Sequence, residues 1–145
     1  LFYMLNNYYL FIRSLKMNKR QIKLSCYLEQ LNIEVVKVEM ILNQLNRLKN
    51  NQEIANYIVE RDLLKTRCQL ELSLASLCII LRKMCENQFI TLNQERRKDI
   101  NSIIHSNRFD FFEDDKVYVF SQKGQEEVNI IQLLDYAKKI FKEIV

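Results

Sequence analysis

The sequence has no proline, no tryptophan, one glycine and one histidine. Proline and glycine are the strongest breakers of a helix interior, so little in these 145 residues prevents long helices. A lone glycine, Gly124, excludes the Gly-rich phosphate loop and the dinucleotide fingerprint, which need two or three. A lone imidazole, His105, leaves any proton transfer at neutral pH to one ring. Cys26, Cys68, Cys78 and Cys85 form no C-x-x-C pair, and one histidine does not complete a zinc quartet at usual spacing. They read as free thiols in a reducing cytoplasm, and no metal or other cofactor is expected. No apolar run approaches the roughly 18 residues of a membrane span, so no integral membrane association is expected.

What remains is 48% hydrophobic and 28% charged, a globular balance at the length of one ordinary domain. The net charge is +4, but it is unevenly placed. Residues 1–25 carry Arg13, Lys16, Lys19, Arg20 and Lys23 with no acid, while the remainder is close to neutral. A uniformly basic surface that tracks duplex DNA is thereby disfavoured. The opening LFYMLNNYYLFI is aromatic and apolar with its cations after it, the reverse of a secretory signal. Residues 1–16 read as an N-terminal extension ahead of Met17, either an interfacial amphipathic segment or outside the fold. Residues 17–145 read as one helical domain.

Leu24, Leu28, Leu31, Val35, Val38, Leu42 and Leu45 alternate steps of four and three, which predicts a long amphipathic helix continuing to Leu48. Ile33, Val36, Met40 and Ile41 widen its apolar stripe, as a bundle helix requires. A second long helix is predicted from about Gln52 to Asn87. Between Leu70 and Leu81 it is apolar nearly all round, including Leu72 and Ile79, and is expected to be buried on several faces. Thr91 and Gln94 have capping-box spacing and predict a third helix through His105. Phe109, Phe111 and Lys116–Phe120 have strand composition, with Glu113-Asp114-Asp115 and a turn at Gly124 between strands and a short return over Glu126–Ile130. A last amphipathic helix is predicted from about Ile131 to Val145. The expected fold is mainly α: a bundle of four or five helices, two of them long and antiparallel, with a small β-hairpin before the last.

One segment combines chemically useful side chains. Arg97, Asn101 and His105 are successive i+4 steps and lie on one helix face. The C-terminal end of a helix favours a protonated imidazole. Imidazole moves protons, guanidinium stabilises charge on a phosphorane, and an amide orients either group, a set suited to phosphodiester chemistry. Arg96 is a second candidate guanidinium, and Lys98 and Arg108 are candidate nucleic-acid contacts. His105 and Arg97 are expected to share an open groove. Tyr118 and Phe120 are aromatic enough to stack on a base, although strand aromatics normally pack on a neighbouring helix. Asp110 and Glu113–Asp115 read as an exposed acidic turn rather than a metal site.

From Asp99 to the end the sequence resembles the C-terminal half of the HEPN superfamily, helical bundles that include many ribonuclease toxins. The resemblance rests on Asn101 four residues before His105 at a helix end, a strand-like segment at Arg108–Phe112 and Lys116–Ser121, and an amphipathic last helix. In outline it covers residues 20–145. Active members carry an Arg-x4-6-His motif. Here Ile100 directly precedes Asn101, and seven residues separate Arg97 from His105. The resemblance implies a homodimer whose two His-bearing helices meet, with Arg97 or Arg96 acting in place of the missing arginine. It implies metal-independent RNA cleavage with His105 as acid–base and Asn101 as orienting group, in a toxin–antitoxin or phage-defence setting. An antitoxin or accessory protein would be a further partner. The alternative is a catalytically inactive helical interaction or dimerisation module.

Overall fold

A computed structural model describes residues 18–50, 56–106, 108–111, 116–121 and 124–144. Four helices and three strands are present among them: α1 (Lys19–Asn50), α2 (Asn56–Glu86), α3 (Gln94–Ile104), β1 (Arg108–Phe111), β2 (Lys116–Ser121), β3 (Gly124–Asn129) and α4 (Ile130–Ile144). The mainly helical architecture with two long antiparallel helices is the one expected. The N-terminal extension, the start of the second helix near Gln52 and the acidic turn at Glu113–Asp115 lie outside the described residues.

Helix α1 begins with a reciprocal cap. The Asn18 side chain accepts the Gln21 amide at 2.8 Å, and the Gln21 side chain accepts the Asn18 amide at 3.0 Å. Along its 32 residues, about 48 Å, the expected heptad faces inward, with Leu28, Leu31, Val35 and Val38 fully buried and Leu42 and Leu45 nearly so. The stripe is narrower than predicted. Ile33, Val36 and Met40 are exposed, because the helices that pack on α1 cover one side only. Ser25 and Asn32, seven apart, are buried in the flank of the seam.

Helix α2 runs antiparallel to α1 and buries Leu63, Leu70, Leu74, Leu77, Cys78, Leu81 and Met84. It is central, packing on both α1 and α3, but it is not enclosed all round. Leu72 is 72% exposed, directly opposite the seam, which corrects the expectation for Leu70–Leu81. Apolar content alone did not distinguish the buried arc of this helix from its back.

The end of α2 is anchored by the start of α1. Gln88 adopts φ 63°, and the Phe89 amide returns to the Met84 carbonyl at 2.9 Å, the left-handed stop that usually employs glycine. The Arg20 guanidinium donates to the carbonyls of Asn87 and Gln88, each at 3.1 Å, and lies 4.3 Å from the centre of the Phe89 ring. Lys23 donates to the Asn87 side chain at 2.7 Å. Two cations of the basic N-terminal stretch thus serve this joint.

The predicted hairpin is present and extended by the return strand into an antiparallel sheet of order β1-β2-β3. Gly124 opens β3 with φ 119°, a conformation other residues rarely adopt. Phe109, Val119 and Val128 point inward and are buried. Helix α4 is capped by Asn129, whose side chain accepts the Gln132 amide at 3.0 Å. It buries Leu133, Leu134, Ala137, Ile140 and Phe141 along one face, and Lys138 pairs with Glu39 of α1 at 2.7 Å.

Candidate functional site

Helix α3 carries the residues singled out above. Its N-cap is Asn93, whose side chain accepts the Arg96 amide at 2.8 Å. The predicted Thr91–Gln94 box is therefore displaced by two residues. Thr91 instead lends its carbonyl to the Tyr136 hydroxyl of α4 at 3.3 Å, and Leu92 is buried. An acceptor one residue before the helix satisfies its first amides more directly than Thr91, three residues before.

Ile100 and Ile103 fix the inward face of α3 and are 1% exposed. At 100° per residue, Gln94, Arg97, Lys98, Asn101 and His105 then fall on the outward face, and all five are exposed. The helix closes on His105, whose amide donates to the Asn101 carbonyl at 3.0 Å and whose backbone (φ −95°, ψ 10°) leaves the helical region. Among the described residues, the side chains of Arg97, Lys98, Asn101 and His105 make no hydrogen bond or ion pair. Two cations, an amide and an imidazole face solvent along one surface.

Arg96 is directed elsewhere. Its guanidinium pairs with Asp99 at 3.3 Å and lies 5.9 Å from the Tyr136 ring centre, so it links α3 to α4. The Asp99 carboxyl is raised above the ordinary carboxylate range because burial outweighs the opposing pull of Arg96. Tyr136 is likewise raised, chiefly by burial. Cys78, the inert thiol of this region, is buried in α2 and pushed up strongly by desolvation. Arg108 opens β1, three residues beyond His105, and its strand position is paired with Phe120.

One contact was not foreseeable from local sequence. The Ser102 hydroxyl meets the Glu126 carboxylate of β3 and lies 2.9 Å from the Lys98 carbonyl. It joins the inner face of the sheet to α3 and sets one acid on the flank of the polar face. Gln94 also joins that face, a position the i+4 count from Arg97 did not include.

His105 is exposed, and among the described residues it lines neither of two clefts. One, of about 360 Å³, lies between residues 88–91 and α4, with Phe89, Ile90, Tyr136, Lys139 and Ile140 in its wall. The other, of about 290 Å³, lies between α1 and α2 at Gln44, Asp62, Lys65, Thr66 and Gln69. Among the described residues no group of three or more His, Cys, Asp or Glu side chains is placed to hold a metal ion. Nor is any described helix long and apolar enough to cross a membrane. Compared with protein-family models, curated proteins and solved structures, the chain finds no match in any of the three.

Proposed function

We propose that the protein is a HEPN-like helical protein that acts on RNA through the outward face of α3, as a homodimer in a toxin–antitoxin or phage-defence setting. One observation carries this reading: Arg97, Asn101 and His105 are exposed together along one face of α3, from its first turn to its C-cap, and their side chains make no hydrogen bond or ion pair among the described residues. A guanidinium, an amide and an imidazole left open to solvent suit a phosphodiester better than an apolar partner. In the reaction the ribose 2′ oxygen attacks phosphorus, forming the P–O2′ bond and breaking the P–O5′ bond. His105 takes the 2′ proton and returns one to the departing 5′ oxygen, leaving a 2′,3′-cyclic phosphate and a 5′-hydroxyl end. Arg97 balances the charge on phosphorus, Asn101 orients the ring or the phosphate, and Lys98 and Arg108 hold the adjoining backbone.

Incubating the purified protein with total RNA, beside His105→Ala and Arg97→Ala variants, tests this. The wild type is expected to yield 5′-hydroxyl fragments, and each variant to lose at least a hundredfold in rate. Identical profiles from wild type and His105→Ala would remove the chemistry.

A second reading, the inactive interaction or dimerisation module, is favoured by Ile100. The position that carries arginine in active members of the family is here part of the core, 1% exposed. The exposed Ile33, Val36 and Met40, three and four residues apart on α1, offer such a module an apolar surface. RNA left intact by a protein that light scattering finds dimeric would select this reading.

A further inference from the structure

Breaking the P–O5′ bond in line places the incoming 2′ oxygen and the departing 5′ oxygen on opposite sides of phosphorus. One side needs a base and the other an acid, each within about 2.6–3.2 Å of its own oxygen. A single imidazole serves only one of them at a time. The sheet brings a second titratable group to the flank of α3.

Residues paired directly across antiparallel strands share a face, and successive residues alternate. Phe109 pairs with Val119, and Val119 with Glu126, while Tyr118, Phe120 and Glu127 belong to the opposite side. Phe109, Val119 and Val128 are buried on the inner side, where β2 packs on α3 and α4. Glu126 shares that side, is half-buried, and meets the Ser102 hydroxyl of α3. The hydroxyl engages one carboxylate oxygen, Oε2. The other, Oε1, makes no hydrogen bond or ion pair among the described residues.

Ser102 borders the exposed polar face. Lys98 precedes it by four residues and His105 follows it by three, so each is its neighbour at about 5–6 Å between Cβ atoms. Side chains on a helix lean toward its N-terminus, which carries a ring at position 105 back over the turn that holds Ser102. No other acid of α3 or β3 shares this place. Asp99 is paired with Arg96, Glu95 is about 15 Å from His105 along the axis, and Glu127 is on the other side of the sheet.

We propose that Glu126 is the general base of the RNA cleavage and His105 its general acid. The proposal rests on the RNA reading above and divides the proton work assigned there to His105 alone. Near neutral pH a carboxylate has no proton to give and an imidazolium has one, which sets the roles. The carboxylate takes the 2′-hydroxyl proton as that oxygen bonds to phosphorus. The P–O5′ bond breaks, and the protonated ring gives its proton to the 5′ oxygen. Exchange with water returns both groups to their starting states. Ser102 holds the carboxylate in position.

The test follows cleavage of a labelled oligoribonucleotide by the full chain on both sides of neutral pH. In the wild type kcat/KM is expected to rise with pH as Glu126 ionises and to fall as His105 loses its proton. The groups that face Glu126 are Ser102, Lys98 and His105 from α3, Val119 from β2, and Gly124 and Val128 on its own strand, so no second acid supplies the rise. Glu126→Gln, which retains a hydrogen bond to Ser102, is expected to lower kcat at least a hundredfold and to leave KM within twofold. It is also expected to abolish the rise while keeping the fall, and an unchanged melting temperature certifies it as folded. Glu126→Asp, which keeps a carboxylate, is expected to keep both limbs. A folded Glu126→Gln protein with the wild-type rate, or one slowed with both limbs intact, overturns the base while leaving the RNA reading in place. A wild-type profile without the acid-side rise overturns it with no variant needed. Absence of cleavage by the wild type overturns both proposals.

Discussion

Asp99 sits where two influences oppose each other. Burial raises its carboxyl, the Arg96 guanidinium lowers it, and burial prevails. The folded protein therefore holds the Asp99 proton more tightly than the unfolded chain does. Stability from this group is greatest below the ordinary carboxylate pKa, falls as pH rises through the interval up to the raised value, and is level above it. Melting temperatures measured across the mildly acidic range are expected to show that downward contribution in the wild type and to lack it in Asp99→Asn. The face of α3 was legible at this scale because helical spacing alone groups Arg97, Asn101 and His105. The separation of Arg96 from that face was not. Its partner ring, Tyr136, is 40 residues away, and no local pattern connects the two.

Among the elements, the terminus of α2 is the one built against its residue type. Gln88 holds a left-handed backbone that normally costs a side-chain-bearing residue about 1–2 kcal/mol. Gln88→Gly relieves that cost but loosens the unfolded chain, so a net gain of about 0.5–1 kcal/mol is expected, read as a melting temperature a few degrees higher. The heptad of α1 and the amphipathic stripe of α4 were readable because burial follows period in both. The start of α3 was misplaced by two residues because Thr91, Asn93 and their neighbours offer two registers of cap, and tertiary contacts at Thr91 and Leu92 select the later one. The outward turn of Tyr118 and Phe120 was equally hidden. A strand of alternating valines and aromatics has two apolar sides, and only the packing against α3 and α4 decides which is covered.

For the molecule as a whole, the arcs of α1 and α2 that face away from the seam separate apolar content from stability. Leu74 and Leu72 are two residues apart, one fully buried and the other 72% exposed. Denaturant unfolding is expected to lose about 2–5 kcal/mol in Leu74→Ala and less than about 0.5 kcal/mol in Leu72→Gln. The bundle itself was legible, since four helices and a β insertion follow from periodicity and from the near absence of breakers. The positions of the clefts were not, because concavity depends on how elements meet rather than on what each contains. The joint between the start of α1 and the end of α2 has its own corollary. Arg20 recognises two main-chain oxygens, which any amino acid at positions 87 and 88 supplies. Sequence drift is therefore unequally tolerated on its two sides: the carbonyl partners can change identity with that grip retained wherever position 88 still admits its left-handed backbone, whereas a lysine at position 20 offers a single charged point in place of a planar fork.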